Sequence, residues 1–94
     1  MDVKIDLKYC KSYDDLMDIF AKKLNFPEFF GRNWDALYDC LTDPDFNNLD
    51  KEAKLIFTNY KHVSDLEILK ELLDDAVTYH KEHKTMKFSY VFLD

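Results

Sequence analysis

Two hydrophobic periods alternate along this chain, and the order in which they occur leaves few folds open. Val3, Ile5 and Leu7 interleave with Lys4, Asp6 and Lys8, a period of two that predicts a short strand with one wetter face. Ser12 with Asp15 three positions on resembles a capping box and opens a helix with an apolar face of Leu16, Ile19, Phe20 and Leu24. Phe26-Pro27 ends that helix, because the residue before proline leaves helical geometry. Asn33 is a good N-cap for a second helix running to Thr42, with Asp43-Pro44 as its stop. The polar stretch 43–53 is expected to hold one helical turn around 46–49. Leu55-Ile56-Phe57 is then a nearly continuous apolar run, which predicts a strand covered on both faces. Ser64 with Glu67 makes a capping box, and Val63 with Ile68 has the spacing of a hydrophobic staple. They open the longest helix, whose core face is Leu66, Leu69, Leu73, Ala76 and Val77 with Leu72 beside it, and which is expected to fray over 80–84. Residues 88–93 are strand-like again.

Strand, helix, helix, strand, helix, strand implies an α/β fold. The expected sheet is small, three-stranded and parallel, and its right-handed crossovers pack helices against it in two layers. With 94 residues the expectation is one domain spanning 1–94. Hydrophobic residues at 47% and charged residues at 34% are enough apolar material for a packed core. Cys10 and Cys40 are too few for a disulfide framework and have no zinc spacing, so two buried free thiols are expected. No apolar run approaches the length of a membrane span, and the first 20 residues lack the pattern of an export signal, so a cytoplasmic location is expected.

Charge is concentrated rather than spread. Of a net −6, residues 33–50 carry −5, from Asp35, Asp39, Asp43, Asp45 and Asp50 with no Lys or Arg, which leaves −1 on the other 76 residues. Nucleic acid is disfavoured as a direct ligand, since it needs a basic surface to release counterions, and a basic protein partner fits better. On the second helix Asp35 and Asp39 are one turn apart and Asp43 continues the spacing. Like charges so placed repel by about 0.2–0.5 kcal/mol per pair, and Asp39 and Asp43 also lie toward the negative end of the helix dipole. Trp34 and Tyr38 flank the acids, while Ala36, Leu37, Cys40 and Leu41 take the buried side. Acids rimmed by aromatics suit recognition, the plain alternative being a solvated acidic face.

Other chemistry is weaker. Carboxylates side by side on one helix do not converge across a cleft as a glycosidase pair or a metal site requires. His80 and His83 have i, i+3 spacing but no third ligand nearby, and are expected to be surface histidines. Cys40 has no oxyanion loop beside it. No cofactor is implied. Of Phe29 and Phe30, one is expected in the core and one exposed. Gly31, the lone glycine, is expected to answer a backbone demand.

The contiguous run Phe26-Pro27-Glu28-Phe29-Phe30-Gly31-Arg32-Asn33-Trp34-Asp35-Ala36-Leu37-Tyr38-Asp39-Cys40-Leu41-Thr42 resembles the signature of the barstar family, intracellular inhibitors of the secreted bacterial ribonuclease barnase. The resemblance implies a three-stranded parallel sheet packed by helices, with a binding face made of the second helix and the loop before it. It also implies roles. The acid at Asp39 would enter the ribonuclease active site in place of a substrate phosphate, Asp35 would hold the neighbouring positive site, and the Phe29 ring would lie over the catalytic histidine. Gly31, Asn33 and Thr42 match the family, and a further acidic contact from the last helix corresponds to Asp75, with Asp74 almost as good a candidate. Phe29 stands where the family has tyrosine, Tyr38 where it has tryptophan, and Asp43 where it has glycine. The expected function is a non-enzymatic, monomeric ribonuclease inhibitor that uses Phe29, Gly31, Asn33, Trp34, Asp35, Tyr38, Asp39, Thr42, Asp43 and Asp75 against a small basic ribonuclease. A different expectation from the same face is a regulatory module binding a basic protein that is not a nuclease.

Overall fold

The computed structural model describes residues 1–93. Its elements are β1 (Asp2–Asp6), α1 (Tyr13–Lys23), α2 (Trp34–Thr42), a 3-10 turn (Pro44–Phe46), β2 (Glu52–Thr58), α3 (Leu66–His83) and β3 (Lys87–Phe92). The strands form one parallel sheet in the order β1-β2-β3. Two right-handed crossovers that step in the same direction put their helices on the same side of a sheet, and the side chains agree. Ile5, Leu55, Phe57 and Phe88 point into the core, while Lys4, Lys54 and Ser89 on the opposite face are exposed.

The continuous apolar run of β2 is therefore not covered on both faces. Its burial alternates, and Ile56 is half-buried in an outer row between Lys4 and Val91. Only the inward residues reach the helices, so three successive apolar side chains describe one buried face plus a single partly sheltered isoleucine. The core is one contiguous cluster in which Leu16, Met17, Phe20 and Leu24 from the α1 region meet Leu37, Cys40 and Leu41 of α2 and Leu69, Leu73 and Ala76 of α3 over the sheet. Phe20 and Phe57 are fully buried with ring centroids 5.9 Å apart, and each such ring contributes roughly 1.5–3 kcal/mol by leaving water. Cys10 and Cys40 are free and buried as expected.

Local signals differ in how well they place the ends. Ser12 caps α1, its Oγ accepting from the Asp15 N–H at 3.1 Å. That helix stops at Lys23, before the proline, and the chain reverses through left-handed Asn25. The predicted turn at 46–49 is realised two residues earlier as the 3-10 turn, because Pro44 presets the first turn and Asp43 caps it through Asp45 N–H at 2.9 Å. At α3 the Ser64 capping box does not form. The N-cap is Asp65, left-handed at φ 63° and without a side-chain cap bond, which shifts the register by one and leaves Ile68 exposed rather than stapled to Val63. Nor does α3 fray over 80–84. It runs to His83 and closes through left-handed Lys84, whose N–H donates to the His80 carbonyl.

Candidate functional site

The candidate site begins with the loop that launches α2. Asn33 has extended backbone, its Oδ1 accepts the Ala36 N–H at 2.8 Å, and its Nδ2 donates to the Gly31 carbonyl at 3.3 Å. This one side chain caps the helix and pins the loop ahead of it. Gly31 is not in the left-handed region, so the expected backbone demand is not what it answers; the constraint is side-chain space, since a Cβ there would sit 3.3 Å from the Ala36 Cβ and 3.5 Å from Asn33 Nδ2. The left-handed residue is its neighbour Arg32, at φ 55°. That twist turns the guanidinium back onto α1, where it pairs with Asp18 and reaches Asp14 at 3.9 Å. The pairing holds the Asp18 carboxyl below the usual carboxylate range and raises the guanidinium further. Arg32 is the single Lys or Arg between Lys23 and Lys51, and it points away from the acidic stripe.

The far end of α2 is satisfied without a lysine or arginine. Its last turn holds no basic residue. Thr42 Oγ1 donates to the Tyr38 carbonyl at 2.9 Å, Asp43 N–H to the Asp39 carbonyl at 3.0 Å, and Asn47 Nδ2 to the Cys40 carbonyl at 2.7 Å. His80 Nε2 meets the Leu41 carbonyl at 2.8 Å. The orphan carbonyls that end any helix are thus met without a lysine or arginine. His80 is accordingly not a surface histidine: it is 1% exposed, with Nδ1 2.6 Å from the Thr85 hydroxyl. His83 stacks on Tyr79 instead, and among the described residues no group of three His, Cys, Asp or Glu side chains is placed to hold a metal.

With both ends capped, Asp35 and Asp39 stand exposed, and among the described residues neither forms an ion pair with lysine or arginine. They do not stand alone. An open groove of about 620 Å³ runs between α2 and α3, with Trp34 and Tyr38 on one wall and Ile68, Leu72 and Tyr79 on the other. Its rim carries Asp35 and Asp39 from α2 and Glu71, Asp75 and Glu82 from α3. The neighbouring acids on α3 differ in place: Asp75 lines the groove, whereas Asp74 Oδ1 accepts the Tyr90 hydroxyl at 2.6 Å over β3. Burial first, then the charges of Asp75, Tyr79, Asp39 and Glu82, push the Tyr38 phenol above its ordinary value, and burial with Asp39 and Asp43 does the same to the Cys40 thiol. Both shifts come mainly from burial, with the surrounding acids adding to it.

The two phenylalanines divide as expected. Phe30 is buried against Phe26 at 4.9 Å between centroids, and Phe29 is 71% exposed. Phe29 rests edge-on against Phe46 at 5.3 Å, so the 3-10 turn supports it. Trp34 is half-buried against Tyr13 at 5.3 Å, Thr42 is buried at 7% exposure, and Asp43 is half-buried within its own turn. Sequence reading missed Ile68, Glu71, Glu82 and Phe46. The first three follow a readable helical stripe, 68, 71, 75, 78, 82, but only contact with α2 shows that this stripe faces the acids.

The assembly presents carboxylate acceptors and rings along one groove, with no lysine or arginine ion pair to Asp35 or Asp39 among the described residues. A family model described as Barstar (barnase inhibitor) matches residues 1–92. The chain is also similar to "Putative ribonuclease inhibitor YrdF" of Bacillus subtilis (strain 168), with 60% identity over 30 residues. That match covers 32% of this chain and 29% of the relative's length. The parallel sheet, the capped acidic helix and a family match over nearly the whole chain agree, and the protein belongs to the barstar family.

Proposed function

We propose that this protein inhibits a small basic ribonuclease by inserting residues 29–43, with Asp75, into the enzyme's cationic cleft. One observation carries the reading: Asp35 and Asp39 are exposed and, among the described residues, form no ion pair with lysine or arginine, while the one arginine of their stretch is tied to Asp18. An enzyme that binds RNA must concentrate positive charge where phosphates lie, so a helix presenting fixed carboxylates is complementary to it before contact. Asp39 stands for a phosphate, Asp35 takes the adjacent positive site, and the exposed Phe29 ring covers the catalytic histidine. Membership in a family described as barnase inhibitors, and the ribonuclease-inhibitor name of the Bacillus relative, support this assignment. No bond is made or broken by the inhibitor. Binding is one-to-one, and it protects the cell that makes the nuclease.

Because the 3-10 turn and Phe46 reshape the rim beside Phe29, the target is a barnase-type enzyme and not necessarily barnase itself. The test is inhibition of RNA cleavage by a set of purified small basic ribonucleases, barnase included, comparing the wild type with Asp39→Ala. Stoichiometric inhibition of at least one enzyme by wild type, with a large loss in the variant, is expected. Equal inhibition by both proteins sinks the mechanism.

A further inference from the structure

We propose that His80 is a positioning residue for the binding face, clamping the C-terminal end of α2 to α3 so that Asp39 and Asp75 keep a fixed relation across the groove. The proposal rests on the reading of that face as the binding surface and adds the device that sets its geometry. A carbonyl oxygen only accepts, so the 2.8 Å contact with Leu41 makes Nε2 a protonated, donating nitrogen. Nδ1 lies 2.6 Å from the Thr85 hydroxyl, which both donates and accepts. Of the two neutral tautomers, only the one with Nε2–H satisfies both ring nitrogens. Thr85 N–H also donates to the His80 carbonyl at 3.2 Å, and the ring packs against Phe88 of β3 at 5.5 Å between centroids. The imidazole is therefore anchored to α3, to the turn after it and to the sheet, and it extends one hydrogen bond to α2.

That bond falls where α2 most needs it. The helix has nine residues, and Leu41 lies two positions beyond Asp39. Tyr79, next to His80, faces Tyr38 from the groove side at 6.4 Å, so adjacent α3 residues grip α2 on its wet and its buried sides. Without the imidazole the Leu41 carbonyl loses its donor and the Asp39 end of α2 is free to tilt.

The wild-type protein gives the first test. Nitrogen-15 NMR of the His80 ring is expected to show the Nε2–H tautomer with a slowly exchanging proton, and an Nδ1–H tautomer or a tautomer average overturns the clamp. In the free protein, residual dipolar couplings of α2 and α3 should fit one common orientation in wild type and in His80→Gln, which keeps a donor. In His80→Leu both helices should persist while residues 39–42 depart from that orientation. Unchanged couplings in His80→Leu overturn the proposal, and the tautomer measurement decides it alone if that variant does not fold. With a ribonuclease found to be inhibited, His80→Leu is expected to dissociate about tenfold faster, His80→Gln within about threefold of wild type, and the His80→Leu effect should shrink in an Asp39→Ala background. Additive losses in that cycle mean only general destabilisation and overturn it. If no ribonuclease binds, the functional assignment fails while the tautomer and couplings still judge the clamp.

Discussion

Asp39 and Asn47 sit at the same end of α2 and do opposite work. The carboxylate is exposed and lies toward the negative pole of the helix, so removing it relieves repulsion locally. Asp39→Ala should leave stability within about 0.5 kcal/mol of wild type and weaken ribonuclease inhibition at least tenfold, about 1.4 kcal/mol. Denaturant titration and an inhibition curve on the same samples read both. Asn47 is buried, and its amide donates to the Cys40 carbonyl and, at 3.1 Å, to the Asp43 carbonyl. Asn47→Ala should cost about 1–3 kcal/mol by leaving buried acceptors unmet, read as a lower urea midpoint. Tyr90 gives a pH signature. Burial and its bond to Asp74 push the phenol up to about 12, so the folded state favours the protonated form. That stabilisation is complete below the ordinary tyrosine value of 10.0 and is lost as pH rises from there to about 12. In an alkaline absorbance titration the last tyrosine to ionise should vanish in Tyr90→Phe, while the upward-shifted Tyr38 remains; persistence of that last step would assign it elsewhere.

Elements show where sequence rules work and where they stop. Ser12 and Asn33 act as the caps their types suggest, so Asn33→Ala or Ser12→Ala should each lower stability by about 1 kcal/mol. Ser64 has equal credentials, yet the cap is Asp65, and Ser64→Ala is expected to stay within about 0.5 kcal/mol. A loss near that of Ser12→Ala in thermal unfolding would contradict the described start of α3. Periodicity carried the strands, the helices and the buried side of α2, because each follows from neighbours in the chain. It could not carry the left-handed residues Arg32, Asp65 and Lys84, since no hydrophobic pattern encodes the sign of φ. The burial of His80 was equally hidden: its partners are Leu41, 39 positions away, and Thr85 on a turn whose path the helix end decides. The acids of α2 were legible as a stripe, and the α3 half of the groove was not, because which stripe of α3 faces inward depends on how the two helices are rotated.

On the scale of the molecule, acid is gathered on one side. The groove rim collects five carboxylates from two helices, while the outer face of the sheet mixes Lys4, Lys54 and Lys87 with Asp2, Asp6 and Glu52. Association with a cationic ribonuclease should therefore slow steeply as ionic strength rises from about 10 mM to 1 M, where screening shortens from about 30 Å to 3 Å, with dissociation changing far less. Stopped-flow rates that ignore salt would show that the groove does not guide the encounter.

Helices packed on one side alone also leave the protein with a back. Its outer strand surface, with Lys4, Lys54 and Ser89 open to water, is shielded by the sheet from whatever the groove holds. A dye, bead or surface coupled through those lysines should leave the front free, so that attachment there tests the groove without blocking it.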